Sequence, residues 1–260
     1  MNISGLIITY NEEKNIKACI ESMLHVCDEV IVIDSNSTDD TVEIASSCGA
    51  KVISQKFLGD GPQRIFGIPY CKHDWILNLD ADEFLDHDSL SLLKQGIFEN
   101  ENYDAYSFKT KNFFKDKIIN FSGWYPDRKV RFFNKKTASP SKDIVHQKVI
   151  YTNLKKLNTH ILHYGSHSFH QIVTKKMQYA EWNAQQLYSQ GRKVSPFKPV
   201  LNGLVSFIRC YFFKRGILNG IDGLTFALTQ GYFSYMKYAC LIQLHKQKQK
   251  QKQKRNQINS

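Results

Sequence analysis

The 260-residue chain lacks most of what would mark a secreted or membrane-spanning protein. Its opening Met-Asn-Ile-Ser-Gly has neither the basic stretch nor the long apolar run of a signal peptide. No segment reaches the roughly 18 uninterrupted apolar residues that a spanning helix requires. Six cysteines, at 19, 27, 48, 71, 210 and 240, form no Cys-x-x-Cys pair and have no zinc-like spacing. They read as reduced structural thiols of a cytoplasmic protein. No internal repeat is visible. Acidic residues nearly vanish from the C-terminal part: residues 190–260 hold 13 Lys/Arg against one carboxylate, Asp222, whereas residues 1–189 hold 22 against 23. The whole net charge of +11 therefore sits at one end. Such asymmetry points to an anionic partner, either a membrane surface or a nucleic acid.

What is present is a globular composition, 42% hydrophobic and 13% aromatic. The first half alternates short apolar strands with helical patterns, the signature of β-α-β units and a parallel sheet. Strands are expected at Ile3 to Thr9, Val30 to Ile33, Val52 to Ile53 and Trp75 to Leu79. Helices are expected at Glu12 to Val26, Asp39 to Cys48 and Asp86 to Phe98. Asp104 to Phe114, Lys129 to Phe133 and Ile144 to Ile150 are β-rich. Ser168 to Gln190 reads as a long helix with Phe169, Ile172, Val173, Met177, Ala180 and Leu187 on its apolar side. Amphipathic, aromatic-rich segments follow at 200–213 and 221–245. The alternation of Lys and Gln from Lys246 to Ser260 reads as a disordered tail.

Three polar loops leave successive strand ends: Thr9-Tyr10-Asn11-Glu12, Asp34-Ser35-Asn36-Ser37-Thr38-Asp39 and Asp80-Ala81-Asp82-Glu83. In open α/β sheets ligands bind at that edge. Asn11 and Asp39 also suit helix capping, but capping does not account for so many carboxylates in one place. Carboxylates crowded at a strand tip repel one another and resist desolvation, and a divalent cation such as Mg²⁺ or Mn²⁺ relieves both problems. A cation held there can in turn bind a diphosphate.

These three motifs, Ile-Thr-Tyr-Asn-Glu-Glu, Val-Ile-Asp-Ser-Asn-Ser-Thr-Asp-Asp-Thr and Leu-Asn-Leu-Asp-Ala-Asp-Glu, resemble those of family-2 inverting glycosyltransferases. The resemblance covers roughly residues 2–150 and implies a GT-A fold, a Rossmann-like α/β nucleotide-sugar-binding domain with a mainly parallel sheet. More narrowly, Gly123-Trp124-Tyr125-Pro126-Asp127-Arg128, Arg131-Phe132-Phe133 and Val145-His146 resemble the lipopolysaccharide-core branch, which adds β-linked glucose to an inner-core heptose. The resemblance implies that Thr9, Tyr10, Asn11 and Glu12 line the uridine pocket and that Asp34 and Ser35 meet the base or ribose. Arg64 would lie near the diphosphate, where a guanidinium suits phosphate oxygens. Asp80 and Ala81 would hold the ribose or sugar side, and Asp82 would ligate Mn²⁺ or Mg²⁺. The donor implied is a UDP-sugar, foremost UDP-glucose.

An inverting transfer also needs a base for the acceptor hydroxyl. In this branch a His-Glu pair often follows the arginine-bearing strand, but here the pair reads His146-Gln147, and Gln cannot take the proton. Asp127 and Asp143 are the available carboxylates, with Asp127 preferred. His146 is a candidate metal ligand, phosphate contact or structural histidine. His160 and His163 are read as structural, whereas His167 and His170 could touch acceptor or phosphate.

Arg209, Lys214, Arg215 and Lys237 flank the aromatic C-terminal segments, as in an interfacial amphipathic helix. The opposing reading is that those aromatics are core. No helix-turn-helix, zinc finger or RNP element accompanies the charge, so nucleic acid is not expected. The expected organisation is a GT-A domain at 1–165, a helical membrane-facing extension at 166–245 and a tail at 246–260. The expected partners are a nucleotide-sugar donor, a lipid-linked core oligosaccharide acceptor and the anionic inner-membrane surface, approached peripherally from the cytoplasm. Two alternatives stay open: a related transferase acting on another glycan, glycolipid or peptide, and a nucleotide-sugar- or glycan-binding module without turnover.

Overall fold

The computed structural model describes residues 2–99, 102–114, 117–120, 125–143, 147–166 and 168–258. Trp124, Val145, His146 and His167, all singled out from the sequence, lie outside the described residues. Two compact units form: Met1–Ile118 with Pro126–Gly165, and Ile119–Tyr125 with Ser166–Ser260.

The first unit opens with β1 (Ile3–Thr9), α1 (Ile16–Leu24), β2 (Glu29–Asp34), α2 (Thr41–Ser47) and β3 (Lys51–Ser54). Next come α3 (Asp60–Gly67), β4 (Trp75–Asp80), β5 (Glu83–Leu85) and α4 (His87–Lys94). The remaining strands are β6 (Ala105–Phe114), β7 (Lys117–Ile118), β8 (Asp127–Asn134), β9 (Ser139–Pro140), β10 (Val149–Ile150) and β11 (Leu154–Ser166). The main sheet runs β3-β2-β1-β4-β8-β6-β11-β5, with β7 paired to β6. Its first four strands are parallel, as the β-α-β pattern requires. Beyond β4 the sheet turns antiparallel, at β4–β8, β8–β6 and β11–β5. The fold is thus a GT-A-type α/β arrangement with a mixed sheet.

Alternation along the strands divides the core into two layers. Ile3, Ile7, Leu77 and Leu79 face α1, whose Ile16, Ile20 and Met23 are fully buried, while Leu6, Ile31, Ile33 and Ile76 face the other side. Each such side chain contributes about 1.5–3 kcal/mol by leaving water. Trp75 stacks on Phe132 at 4.9 Å between centroids and meets Tyr106 at 5.8 Å. These aromatics clamp β4, β8 and β6 together and so fix the start of β4 against β8.

Three elements depart from the sequence reading. The helix expected from Glu12 starts at Ile16, because residues 12–15 form turns closed by Glu12 O. Residues 60–67, to which the sequence reading assigned no element, are α3; proline is tolerated in a first helical turn, where its missing N–H has no partner to lose. β11 was not anticipated, since Leu154–Ser166 shows no clean apolar alternation.

The second unit packs α5 (Phe169–Ser189) and α6 (Lys198–Ile208) against a long α7 (Gly220–Ile258). A wide π-type turn at Arg209–Phe213 follows α6. α6 approaches α7 closely at Gly203, where a Cβ would stand 3.2 Å from the Gly231 carbonyl. The helix continues through 246–258, where a disordered tail was expected, and Lys and Gln are both good helix formers. Among the described residues, no helix is long and apolar enough to cross a membrane.

Candidate active site

Parallel pairing brings the strand ends together. Thr9 lies opposite Asp34, and Ile8 opposite Asp80, so the three polar loops share one sheet edge. β8 runs antiparallel to β4, which carries its first residue, Asp127, to the same edge.

The first two loops knit to each other. Asn11 adopts a left-handed backbone (φ 53°); its N–H donates to Ser37 Oγ at 2.9 Å, and its Oδ1 accepts from Thr38 N at 2.8 Å. Asp34 is buried and accepts from Ser37 N at 2.9 Å and from Ser37 Oγ. Glu12 N donates to Thr41 Oγ1 at 2.8 Å, and the Glu12 carboxylate accepts from Asn15. Ser35 Oγ accepts from Gln63 Nε2 at 3.2 Å, which ties β2 to α3. Thr9 is buried, with its hydroxyl unpaired, and Tyr10 stands exposed beside it.

The third loop holds a dense ionic network. Asp80 accepts from Arg64 and from Arg131, both almost wholly buried. Fully buried Glu83 accepts from Arg131 at 2.6 Å and Lys129 at 3.0 Å, and one Glu83 oxygen takes the Asp80 N–H at 3.1 Å. Burial alone would raise the Asp80 carboxyl, but Arg131 and then Arg64 hold it well below the usual range. Burial likewise opposes ionised Glu83, and Arg131 with Lys129 overrides it. Arg64, expected near a diphosphate, braces Asp80, and its Nη1 also donates to Asp60 O at 2.9 Å.

Asp82 and Ala81, next in the loop, are both nearly buried. Asp82 Oδ2 faces His163 Nε2 at 3.4 Å, while His163 Nδ1 meets Asn112 Oδ1 at 2.7 Å. The Asn oxygen can only accept, so in that contact Nδ1 carries the hydrogen and a neutral ring turns its bare Nε2 toward Asp82. In that neutral form the pair could supply two ligands, one oxygen and one nitrogen, to a divalent cation of the Mn²⁺ or Mg²⁺ kind, whereas a protonated ring would form an ion pair with Asp82. Gly165 keeps the place open, because a Cβ there would lie 2.6 Å from His163 Nε2 and 3.2 Å from Asp82 Oδ2.

His163 was read as structural from sequence. It reaches the site because β11 pairs with β5 and sets His163 opposite Glu83. Asp127 is exposed and precedes Lys129 and Arg131 at strand period, on the strand face that carries the ionic network. Asp143 lies apart from that network: its carboxylate accepts from Ser141 Oγ at 2.7 Å, and its carbonyl from Gly61 N.

The fold and this edge define an α/β transferase architecture of the GT-A type. Residues 4–175 match the family described as glycosyl transferase family 2. An uncharacterised glycosyltransferase of Rickettsia typhi is 33% identical over 99% of this chain and 92% of its own length. The lipopolysaccharide core biosynthesis glycosyltransferase LpsC of Rhizobium meliloti is 25% identical over 94% of this chain and 93% of its own. Glucosyl-3-phosphoglycerate synthase of Mycobacterium tuberculosis, solved with Mn²⁺ and UDP, superposes on 44% of each chain with TM-score 0.35 and 28% identity. The chain belongs to glycosyltransferase family 2, and it is a glycosyltransferase.

Proposed function

We propose that the protein is an inverting hexosyltransferase that moves glucose from UDP-glucose to an inner-core heptose of a lipid-linked lipopolysaccharide acceptor. The observation that carries the donor half is the facing pair Asp82–His163 beside arginine-braced Asp80 at the ends of parallel strands. The acceptor half rests on full-length similarity to LpsC. Its place of action would be the cytoplasmic face of the inner membrane, as a peripheral protein.

Asp82 and His163 would hold the Mn²⁺ or Mg²⁺, which neutralises charge on a departing diphosphate. Thr9 to Glu12, Asp34 and Ser35 would bound the nucleoside. Asp80, fixed by two guanidinium groups, would accept hydrogen bonds from ribose or sugar hydroxyls without moving. Asp127 would take the acceptor hydroxyl proton at its carboxylate. The oxygen so freed attacks the anomeric carbon from the face opposite the leaving phosphate, and the configuration inverts.

A screen of UDP-sugars with Mn²⁺ and truncated core acceptors, with the product linkage read by NMR, tests this. UDP-glucose should be turned over to a β-linked heptoside, and Asp82→Ala should abolish UDP release. Equal silence of wild type and variant on every donor would overturn the reading.

A further inference from the structure

The second unit carries a feature that the transfer chemistry does not use. α6 buries Pro199 and Gly203 toward its own unit and exposes Val200, Leu201, Leu204, Val205 and Ile208. Positions i, i+1, i+4, i+5 and i+8 form one continuous stripe, and it holds no charge. Phe197, just before the helix, and Phe213, in the turn after it, are each 81% exposed. Ile217, Leu218 and Ile221 extend the apolar surface to the start of α7 at 50%, 62% and 74% exposure. Soluble monomers rarely leave so many large side chains contiguous and uncovered.

The charges beside this surface decide what covers it. Arg209, Lys214 and Arg215 are exposed within the same turn region, and no carboxylate pairs with them among the described residues. Asp222 is the one acid between residues 190 and 260. Apolar rings bordered by unpaired cations match the boundary between acyl chains and anionic headgroups. A second copy of the chain fits less well, because an isologous interface would gather the cations of both copies at one seam where this stretch offers Asp222 alone as an acid.

We infer that the face formed by α6, the Arg209–Phe213 turn and residues 214–221 is a membrane-docking wedge for anionic lipid. Phe197, the α6 stripe and Phe213 enter the headgroup boundary, and Arg209, Lys214 and Arg215 meet lipid phosphates. The wedge gives a residue-level basis to the peripheral placement proposed above, and it stands on exposure and charge independently of the donor chemistry.

Flotation of the purified full chain with vesicles tests it. One set is pure phosphatidylcholine and the other contains about a quarter phosphatidylglycerol. The protein should float with the anionic set and be largely released by high salt. A Leu201→Ser, Leu204→Ser, Phe213→Ser variant should lose at least about tenfold in vesicle affinity, with unchanged circular dichroism and unchanged Mn²⁺-dependent UDP release. An Arg209→Gln, Lys214→Gln, Arg215→Gln variant should lose the preference for anionic vesicles. Absence of flotation in an actively hydrolysing wild type would overturn the wedge and leave the transferase reading intact. So would a dimer that the serine variant splits while flotation persists. Flotation by a protein inert toward every donor would support the wedge and remove the proposed function.

Discussion

His163 Nε2 stands 3.4 Å from Asp82 Oδ2, and Asn112 fixes the opposite ring nitrogen at 2.7 Å. With Nδ1 bonded to Asn112, the nitrogen that a neutral ring leaves bare is the one facing Asp82, an arrangement common behind metal-bound histidines. Replacing Asn112 with Ala frees the ring to rotate and to change tautomer. Mn²⁺ affinity, followed by titration calorimetry or by the EPR signal of free Mn²⁺, is expected to fall about 10–100-fold. His163→Ala should lower it further. An Asn112→Ala protein that binds Mn²⁺ as tightly as wild type would show that the histidine needs no such orientation.

Glu83 supports the site from below. It is fully buried between Arg131 and Lys129, and it also receives the Asp80 N–H. Removing its carboxylate takes a buried partner from Arg131, which keeps Asp80, and the ion-pair partner from Lys129. Glu83→Ala is expected to cost on the order of 3–5 kcal/mol in urea unfolding, the usual penalty for breaking a buried pair. A loss below about 1 kcal/mol, the scale of an exposed pair, would mean that water reaches the network freely.

The parallel half of the fold was open to reading because each strand there is a short apolar run ending in polar residues. That pattern also placed Asp34, Asp80 and Asp82 at one edge. His163 was hidden because its position depends on an antiparallel pairing between β5 and β11, two strands distant in sequence. Nothing in Leu-Lys-Lys-Leu-Asn-Thr-His announces that partner. Arg131 was visible only as part of a motif; its grip on Asp80 and Glu83 required the register of β8 against β4. The exposed apolar stripe of α6 was half legible. Amphipathic composition marked the segment, but which face remained open depended on the Gly203 approach to α7.

Lys176 offers a pH test in the second unit. Its ammonium donates to Gln230 Oε1 at 2.6 Å and lies 5.2 Å from the Phe233 ring centroid. Burial pushes its pKa down, a neighbouring Cys210 opposes this, and Lys214 adds to it. The unfolded chain therefore binds this proton more tightly than the folded one. Stability contributed by this position should rise as pH climbs from the lowered folded value to the unfolded value of about 10.4. Lys176→Met, similar in volume and uncharged, should melt higher than wild type at neutral pH. The advantage should shrink as pH approaches 10. A lower midpoint at neutral pH would show that the Gln230 and Phe233 contacts outweigh the desolvation.

Asp127 is the proposed base, and its place on β8 makes the proposal testable. Asp143 spends its carboxylate on Ser141 within a loop tied to α3, whereas Asp127 begins β8 on the strand face that bears Lys129 and Arg131. Being exposed, Asp127 contributes little to folding, so Asp127→Asn should leave the melting temperature unchanged. If it accepts the proton, the variant should keep UDP-sugar affinity and Mn²⁺ binding but lose transfer to the acceptor about 10²–10⁴-fold, the usual share of a general base. KM for the donor should stay constant while kcat falls. Asp143→Asn should change neither. Transfer retained by Asp127→Asn and lost by Asp143→Asn would reverse the assignment. Transfer retained by both would send the search to carboxylates outside β8 and the 141–143 loop.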